Sequence, residues 1–253
     1  MIFRFLPVIG DAPEAVLILL LAFSVTLLLG LTFHEFTHAF VADRLGDGTP
    51  RAMGRLTLNP RAHFDPVGST LIFFAGFGWA KPVPINPMNT ANPRRSMALI
   101  AGAGPVSNLF LAALAGIPIR LGWVGVNDVT GDIWHPFVAP GSVQFFAQLW
   151  TQSIGDLAGL FFGTVLLLNL LLAVFNLLPI PPLDGYRVAL GVLPPELGRE
   201  LVKIEPWGFG ILMLLFFAPF FTGGAINPLF TVMGPILNVL LEIFAGGAAI
   251  EFG

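Results

Sequence analysis

No cysteine occurs among the 253 residues, which excludes a disulfide framework, a thiolate metal site and a cysteine nucleophile. Any transition metal must be bound by histidine and carboxylate. Charge is scarce as well, at 11% of residues with a formal net charge of -3. That balance argues neither for nucleic acid as a partner nor for a basic membrane-surface protein. What the chain does have is apolar side chains, 55% of the total, and a mean hydropathy of +0.83. It is too apolar for a soluble domain of its length and belongs in a membrane. The apolar segments leave no room for an extramembrane domain of useful size, so residues 1–253 read as a single integral-membrane domain. Met1 to Pro13 carries one Arg and no small-residue cleavage site after an apolar core, so the first apolar run is expected to stay in the membrane.

Glu14 to Ala42 exceeds the roughly 20 residues that span a bilayer and is the first expected span. Asp43 to Pro66 turns polar, with Gly46, Gly48, Pro50, Gly54 and Pro60 as breakers. Within it Arg51 to Leu58 has strand character, which predicts a short membrane-associated β-hairpin with Gly54 at a turn or bulge. Val67 to Gly78 is apolar but too short to cross, which suits a re-entrant segment. Ser96 to Ile119 is the second span. Val143 to Leu178 divides into an interfacial stretch up to about Gly155 and a third span from Asp156. Two more spans are expected near Trp207 to Phe221 and Ala225 to Ala245. The expected fold is an all-α membrane protein, a polytopic helical bundle of about five to six membrane segments.

Seven of the twelve Lys and Arg, from Arg44 to Arg95, fall between the first two spans, and Arg187, Arg199 and Lys203 follow the third; Leu121 to Ser142 has none. The positive-inside rule places the first two groups in the cytoplasm. The end of the first span, the start of the second and the end of the third then share that side.

His34-Glu35-Phe36-Thr37-His38 lies inside the first span. Two histidines at i and i+4 on a helix face the same way and can bind one ion, with the Glu beside them. Zinc so held polarises a carbonyl and activates water, and a neighbouring carboxylate must take the water's proton; Glu35 fits. His34 is about 14 Å from the helix end near Asp43 at ~1.5 Å per residue, so these groups lie within the hydrocarbon, where ionisable residues mark function. Zinc needs a third ligand, for which Asp184 is the candidate: the prolines of Asn176 to Gly185 deny that stretch a continuous helix and let it turn back toward the bilayer. His63 is the rival, read as a surface histidine beside Arg61 and Asp65. Asp43 and Asp47 read as loop or cap residues, and Asp156 as the start of a span. Asn108, in Gly104-Pro105-Val106-Ser107-Asn108, could donate to an oxyanion or hold substrate, or could equally make an interhelical hydrogen bond. Asn169 reads as structural.

These residues resemble the site-2 protease family of intramembrane metalloproteases, peptidase family M50. His34 to His38 matches its zinc motif, Asn176 to Gly185 its Asn-x-x-Pro-x-Pro-x-x-Asp-Gly motif, and Gly104 to Asn108 its Gly-x-x-x-Asn element. The resemblance covers a three-span catalytic core at about residues 14–186, with further spans at about 207–246. It implies that His34, His38 and Asp184 bind zinc, Glu35 activates water and Asn108 helps position substrate. It further implies a transmembrane protein as substrate, the lipid bilayer as surroundings, and a bacterial or archaeal cell membrane with the site toward the cytoplasm. No PDZ or CBS domain and no extra span before the zinc motif are expected, and the oligomeric state is left open. The competing expectations are a zinc or other cation transporter using the same His/His/Asp set, and a silent adaptor that keeps the fold.

Overall fold

The computed structural model describes residues 9–75, 78–124, 151 and 153–246. Its regular elements, among those residues, are all helical. The first apolar run is one continuous rod made of α1 (Pro13–Val25), a π turn (Thr26–Gly30) and α2 (Leu31–Arg44). Then follow α3 (Thr49–Ala52), α4 (Pro66–Ala75), α5 (Pro93–Arg120), α6 (Ile154–Asn176), α7 (Asp184–Val192), α8 (Pro195–Lys203), α9 (Gly208–Phe221) and α10 (Pro228–Ala245). Five helical stretches are long and apolar enough to cross a bilayer: 13–44, 93–120, 154–176, 195–221 and 228–245.

Local chemistry sets the helix starts. Asn92 accepts the Arg95 N–H and Pro93 occupies the first turn of α5, where its missing donor costs nothing. Ser153 accepts the Asp156 N–H and bonds the Asp156 carboxylate, so Asp156 does mark the start of α6.

The first rod buries Leu19, Ala22, Thr26, Gly30, His34, His38 and Ala42, mostly four residues apart. A step of four advances about 40° around an α-helix; the wider π turn takes part of that drift back and keeps the line facing its neighbours. In lipid, helices gain little from apolar burial and rely on close packing of small residues. The central helix α5 supplies them at Ala101, Gly104, Ala112, Ala115 and Gly116, packing against α2 and α6. Leu166, Leu167 and Leu170 of α6 and Leu237 and Leu241 of α10 fill the rest of the core. By contrast Phe209, Leu214, Phe217, Phe220 and Phe221 of α9 are exposed, as lipid-facing side chains should be.

The β-hairpin expected over 51–58 is not formed; among the described residues there is no strand. Pro50 sets a helical φ at the start of α3, and Asp47 accepts the Thr49 N–H at 3.1 Å. Gly54, at φ +68°, ends this single turn: its N–H bonds Arg51 O while the Arg55 N–H bonds Pro50 O. That pair of bonds is a Schellman cap, which needs a left-handed residue and so selects glycine. The apolar segment expected to re-enter contains α4, whose ten residues reach about 15 Å and cannot cross. The interfacial stretch expected at Val143 to Gly155 falls mostly outside the described residues.

Candidate metal centre

His34, Glu35 and His38 sit on the buried face of α2, each at most 9% exposed. The Nε2 atoms of His34 and His38 lie 3.0 and 3.2 Å from one oxygen, Oδ2 of Asp184. Asp184 opens α7 with Leu183 as its cap, so it begins a helix rather than sitting in a plain turn. The three ligand-type atoms fall within 4.8 Å of one another.

The outer nitrogens decide what this arrangement means. His38 Nδ1 is 2.7 Å from the Ile100 carbonyl, which can only accept, so Nδ1 carries the proton. Asn108 Nδ2 donates to the Gly30 carbonyl at 3.2 Å, which turns the Asn108 oxygen toward His34 Nδ1 at 2.7 Å. His34 therefore also carries its proton on Nδ1 when neutral. Both Nε2 lone pairs then converge on a carboxylate oxygen. Three acceptors facing one point repel unless a cation lies among them, and two imidazoles with a carboxylate are a zinc donor set. The residues fit the ion that their spacing implies. Ligand-bearing histidines usually anchor the other ring nitrogen in this way.

Close approach of α5 makes the geometry possible. A Cβ at Gly104 would lie 2.5 Å from His38 Nε2 and 2.6 Å from His34 Nε2, so glycine is required where the helix backbone meets both rings. One residue on, Pro105 cannot donate back to Ala101, leaving this turn one helical bond short beside the Ile100 carbonyl used by His38. The His34 and His38 side chains are 7% exposed and that of Asp184 20%, so the centre opens on the Asp184 side.

Glu35 has a partner that the sequence does not announce. Its Oε2 accepts the backbone N–H of Val83 at 3.1 Å. Val83 is buried in an irregular strap, Lys81-Pro82-Val83-Pro84-Ile85-Asn86, that crosses the site. Two groups pin the strap. Arg55, 5% exposed, donates to the Lys81 and Pro82 carbonyls at 2.5 and 2.6 Å. Burial pushes its guanidinium down, and the nearby Glu35 charge opposes that. Asp47, fully buried, accepts the Asn86 N–H at 2.7 Å and bonds Thr49 and Asn89. Asp47 is thus a buried organiser of the strap rather than a simple loop or cap residue.

Burial alone would push the Asp47 carboxyl up; the hydrogen bonds from Thr49, Asn89 and Asn86 outweigh it and hold the group below the ordinary carboxylate range. A depressed folded value means that the stabilisation is complete above about pH 4 and declines as pH falls through the folded value. The melting temperature of the wild type in detergent should accordingly exceed that of Asp47→Ala at neutral pH. The gap should close on acidification; a gap independent of pH would show that the carboxylate charge is not what holds the strap.

The structure brings His34, His38, Asp184, Glu35 and Asn108 to one place. His63 is not among the converging groups, and it is no surface residue: it is fully buried, its Nε2 bonding the Thr57 carbonyl at 2.8 Å while its own carbonyl accepts the Lys81 N–H. Arg61, two residues away, is exposed while His63 turns inward, so charged neighbours in sequence do not mark a surface position here. Asp43 pairs with Arg51 at 2.7 Å, and Asn176 bonds the Leu172 carbonyl within its own helix.

Comparison with known proteins bears on the same centre. YwhC of Bacillus subtilis (strain 168), named as a candidate zinc metalloprotease, is 40% identical over 195 residues, spanning 77% of this chain and 80% of that protein. Rip2 of Mycobacterium tuberculosis (strain ATCC 25618 / H37Rv), named likewise, is 34% identical over 216 residues, spanning 82% and 72% of the two chains. Rip2 of Mycolicibacterium smegmatis is 33% identical over 197 residues. No solved structure matches the chain. The pattern of peptidase family M50 covers residues 22–217, which include every residue placed at the centre above, and the chain belongs to that family of peptidases.

Proposed function

We propose that this protein is a zinc-dependent intramembrane endopeptidase that hydrolyses peptide bonds in transmembrane segments of other proteins. The observation that carries the reading is the convergence of His34 Nε2, His38 Nε2 and Asp184 Oδ2, next to Glu35, within a 32-residue apolar helical stretch. His34, His38 and Asp184 hold the ion. When bound, zinc supplies Lewis-acid activation of water and of the scissile carbonyl. Glu35 takes the proton of the attacking water and passes it to the leaving amine. Val83 N–H orients the Glu35 carboxylate, and the buried wall around the histidines excludes bulk water. A substrate helix must unwind locally to reach the site, because its carbonyls are otherwise bonded and crowded.

The basic residues between the first two spans orient the centre toward the cytoplasm of a bacterial or archaeal cell, with α4 dipping into the same leaflet. Residues 1–253 act as one membrane domain. The membrane peptides of cells carrying the native chain and Glu35→Gln test the reading: a transmembrane fragment precursor should accumulate only with the variant. Identical profiles, together with zinc flux into sealed vesicles, would support a transporter instead.

Arg55 should matter to rate rather than to metal. Arg55→Met removes both bonds to the strap and frees Val83 from Glu35. Misplacing a catalytic group by about 1 Å can cost up to about 100-fold, so kcat should fall about 10- to 100-fold with zinc content unchanged. A loss of zinc in parallel with activity would contradict this division of labour.

A further inference from the structure

We propose that Asn169 on α6 is a positioning residue for the metal centre, acting through Asn108 to fix the tautomer and ring orientation of His34. The proposal rests on the reading of His34, His38 and Asp184 as a zinc site.

Asn108 is fully buried and Asn169 is 1% exposed. Their polarity is set at the far end by a backbone carbonyl. Val165 O can only accept, so Asn169 Nδ2 donates to it at 2.9 Å and Asn169 Oδ1 faces the other way. That oxygen accepts from Asn108 Nδ2 at 3.1 Å, and the same Nδ2 donates its second proton to Gly30 O at 3.2 Å. Asn108 Oδ1 is left to accept from His34 Nδ1 at 2.7 Å. The direction of donation therefore runs unbroken from His34 Nδ1 to the Val165 carbonyl. Reversing either amide would set oxygen against oxygen or nitrogen against nitrogen at several contacts at once, which the low dielectric of a bundle interior penalises. His34 is thereby held with its proton on Nδ1 and its Nε2 lone pair toward Asp184.

The same count changes what Asn108 does. Both of its amide protons and its oxygen are engaged within the protein, so it has no donor left for an oxyanion or for a substrate backbone. Asn108 acts on His34, and Asn169 acts on Asn108. His38 has no such relay; its Nδ1 rests directly on the Ile100 carbonyl. One ligand is thus fixed by a main-chain atom of α5 and the other by a side-chain relay reaching α6, so the packing of α6 on α5 bears on one histidine and not on the other.

Asn169→Ser tests the relay in the full-length protein in detergent. A serine hydroxyl in a membrane helix can bond the carbonyl four residues back, replacing the bond to Val165 O, but it is too short to reach Asn108. Zinc affinity, measured by competition with a chelator, should fall about tenfold. In zinc-loaded protein labelled with ¹⁵N-histidine, where only four histidines contribute, the His34 Nδ1 resonance should move and the His38 resonances stay. Zinc affinity within about twofold of wild type and an unmoved His34 resonance, even with a lowered melting temperature, would overturn the relay and leave Asn169 as a joint between α5 and α6. If Asn169→Ser does not fold, Asn169→Thr, whose hydroxyl makes the same bond to Val165 O, carries the same test: an about tenfold loss of affinity with a moved His34 resonance supports the relay, and affinity within about twofold of wild type with an unmoved resonance overturns it. A wild-type chain that binds no zinc would overturn the metal reading itself, and the relay with it.

Discussion

Glu35→Gln is expected to lower kcat by about 10³-fold while the purified protein keeps its full zinc content, as read by metal analysis and cleavage of a labelled transmembrane peptide in micelles. Proton transfer by a positioned side chain contributes about 10²- to 10⁴-fold, and Glu35 serves both the attack and the departure of the amine, so the upper half of that range applies. The amide of Gln matches the carboxylate in shape, and its oxygen still accepts the Val83 N–H that Glu35 accepts at 3.1 Å. The strap and the histidines are therefore left in place. The difference isolates the proton-accepting function from the fold and from metal binding. Residual activity within about tenfold of wild type would mean that another group moves the proton, and the role assigned to Glu35 would be wrong.

Gly104→Ala should have an effect of the same order by a different route. Its methyl group would meet His38 Nε2 at 2.5 Å and His34 Nε2 at 2.6 Å, where ordinary contact begins near 3.4 Å. One or both rings would have to retreat by nearly an ångström. They have little freedom to do so, because the outer nitrogens are tied to Asn108 and Ile100 at 2.7 Å each. Metal–ligand distances tolerate only about 0.2 Å, so the clash exceeds what a zinc site absorbs by several-fold. Zinc affinity should fall by about 100-fold or more and activity should vanish with it. The larger Gly104→Val should be no better. Gly102→Ala two residues away is the control, since its Cβ would find only Val188 at an ordinary 3.7 Å. If Gly104→Ala bound zinc like the wild type, α5 would not approach α2 as closely as described.

These two experiments separate what the sequence discloses from what it conceals. His34, Glu35 and His38 are legible because helical periodicity alone puts two of them on one face, and their depth in an apolar run marks them as functional. Asp184 is legible because prolines break the exit of α6 and because the family motif names the position. The main spans are legible from length and composition, and the observed stretches begin and end within a few residues of the expected ones, except that the fourth starts at 195 rather than 207. The strap over Glu35 is not legible: its contribution is a backbone N–H, which every residue except proline carries. Nor is Arg55, whose role depends on carbonyls 26 and 27 residues away. The hairpin expected over Arg51 to Leu58 gives way because Pro50, in the first turn, and Gly54, a left-handed cap, bound one helical turn. The π turn is hidden too, since Thr26-Leu-Leu-Leu-Gly30 has the composition of any membrane helix.

The order of the ligands along the chain has a consequence for biogenesis. His34, His38 and Glu35 emerge together on α2, but Asp184 stands 150 residues after His34. During synthesis the early helix enters the bilayer with an incomplete coordination set, and it stays so until α6 has inserted and α7 has docked against α5. Under the proposed function a half-made chain therefore could not cut its neighbours in the crowded environment of the insertion machinery. Under the proposed function the separation would arm the enzyme only after Asp184 has been made.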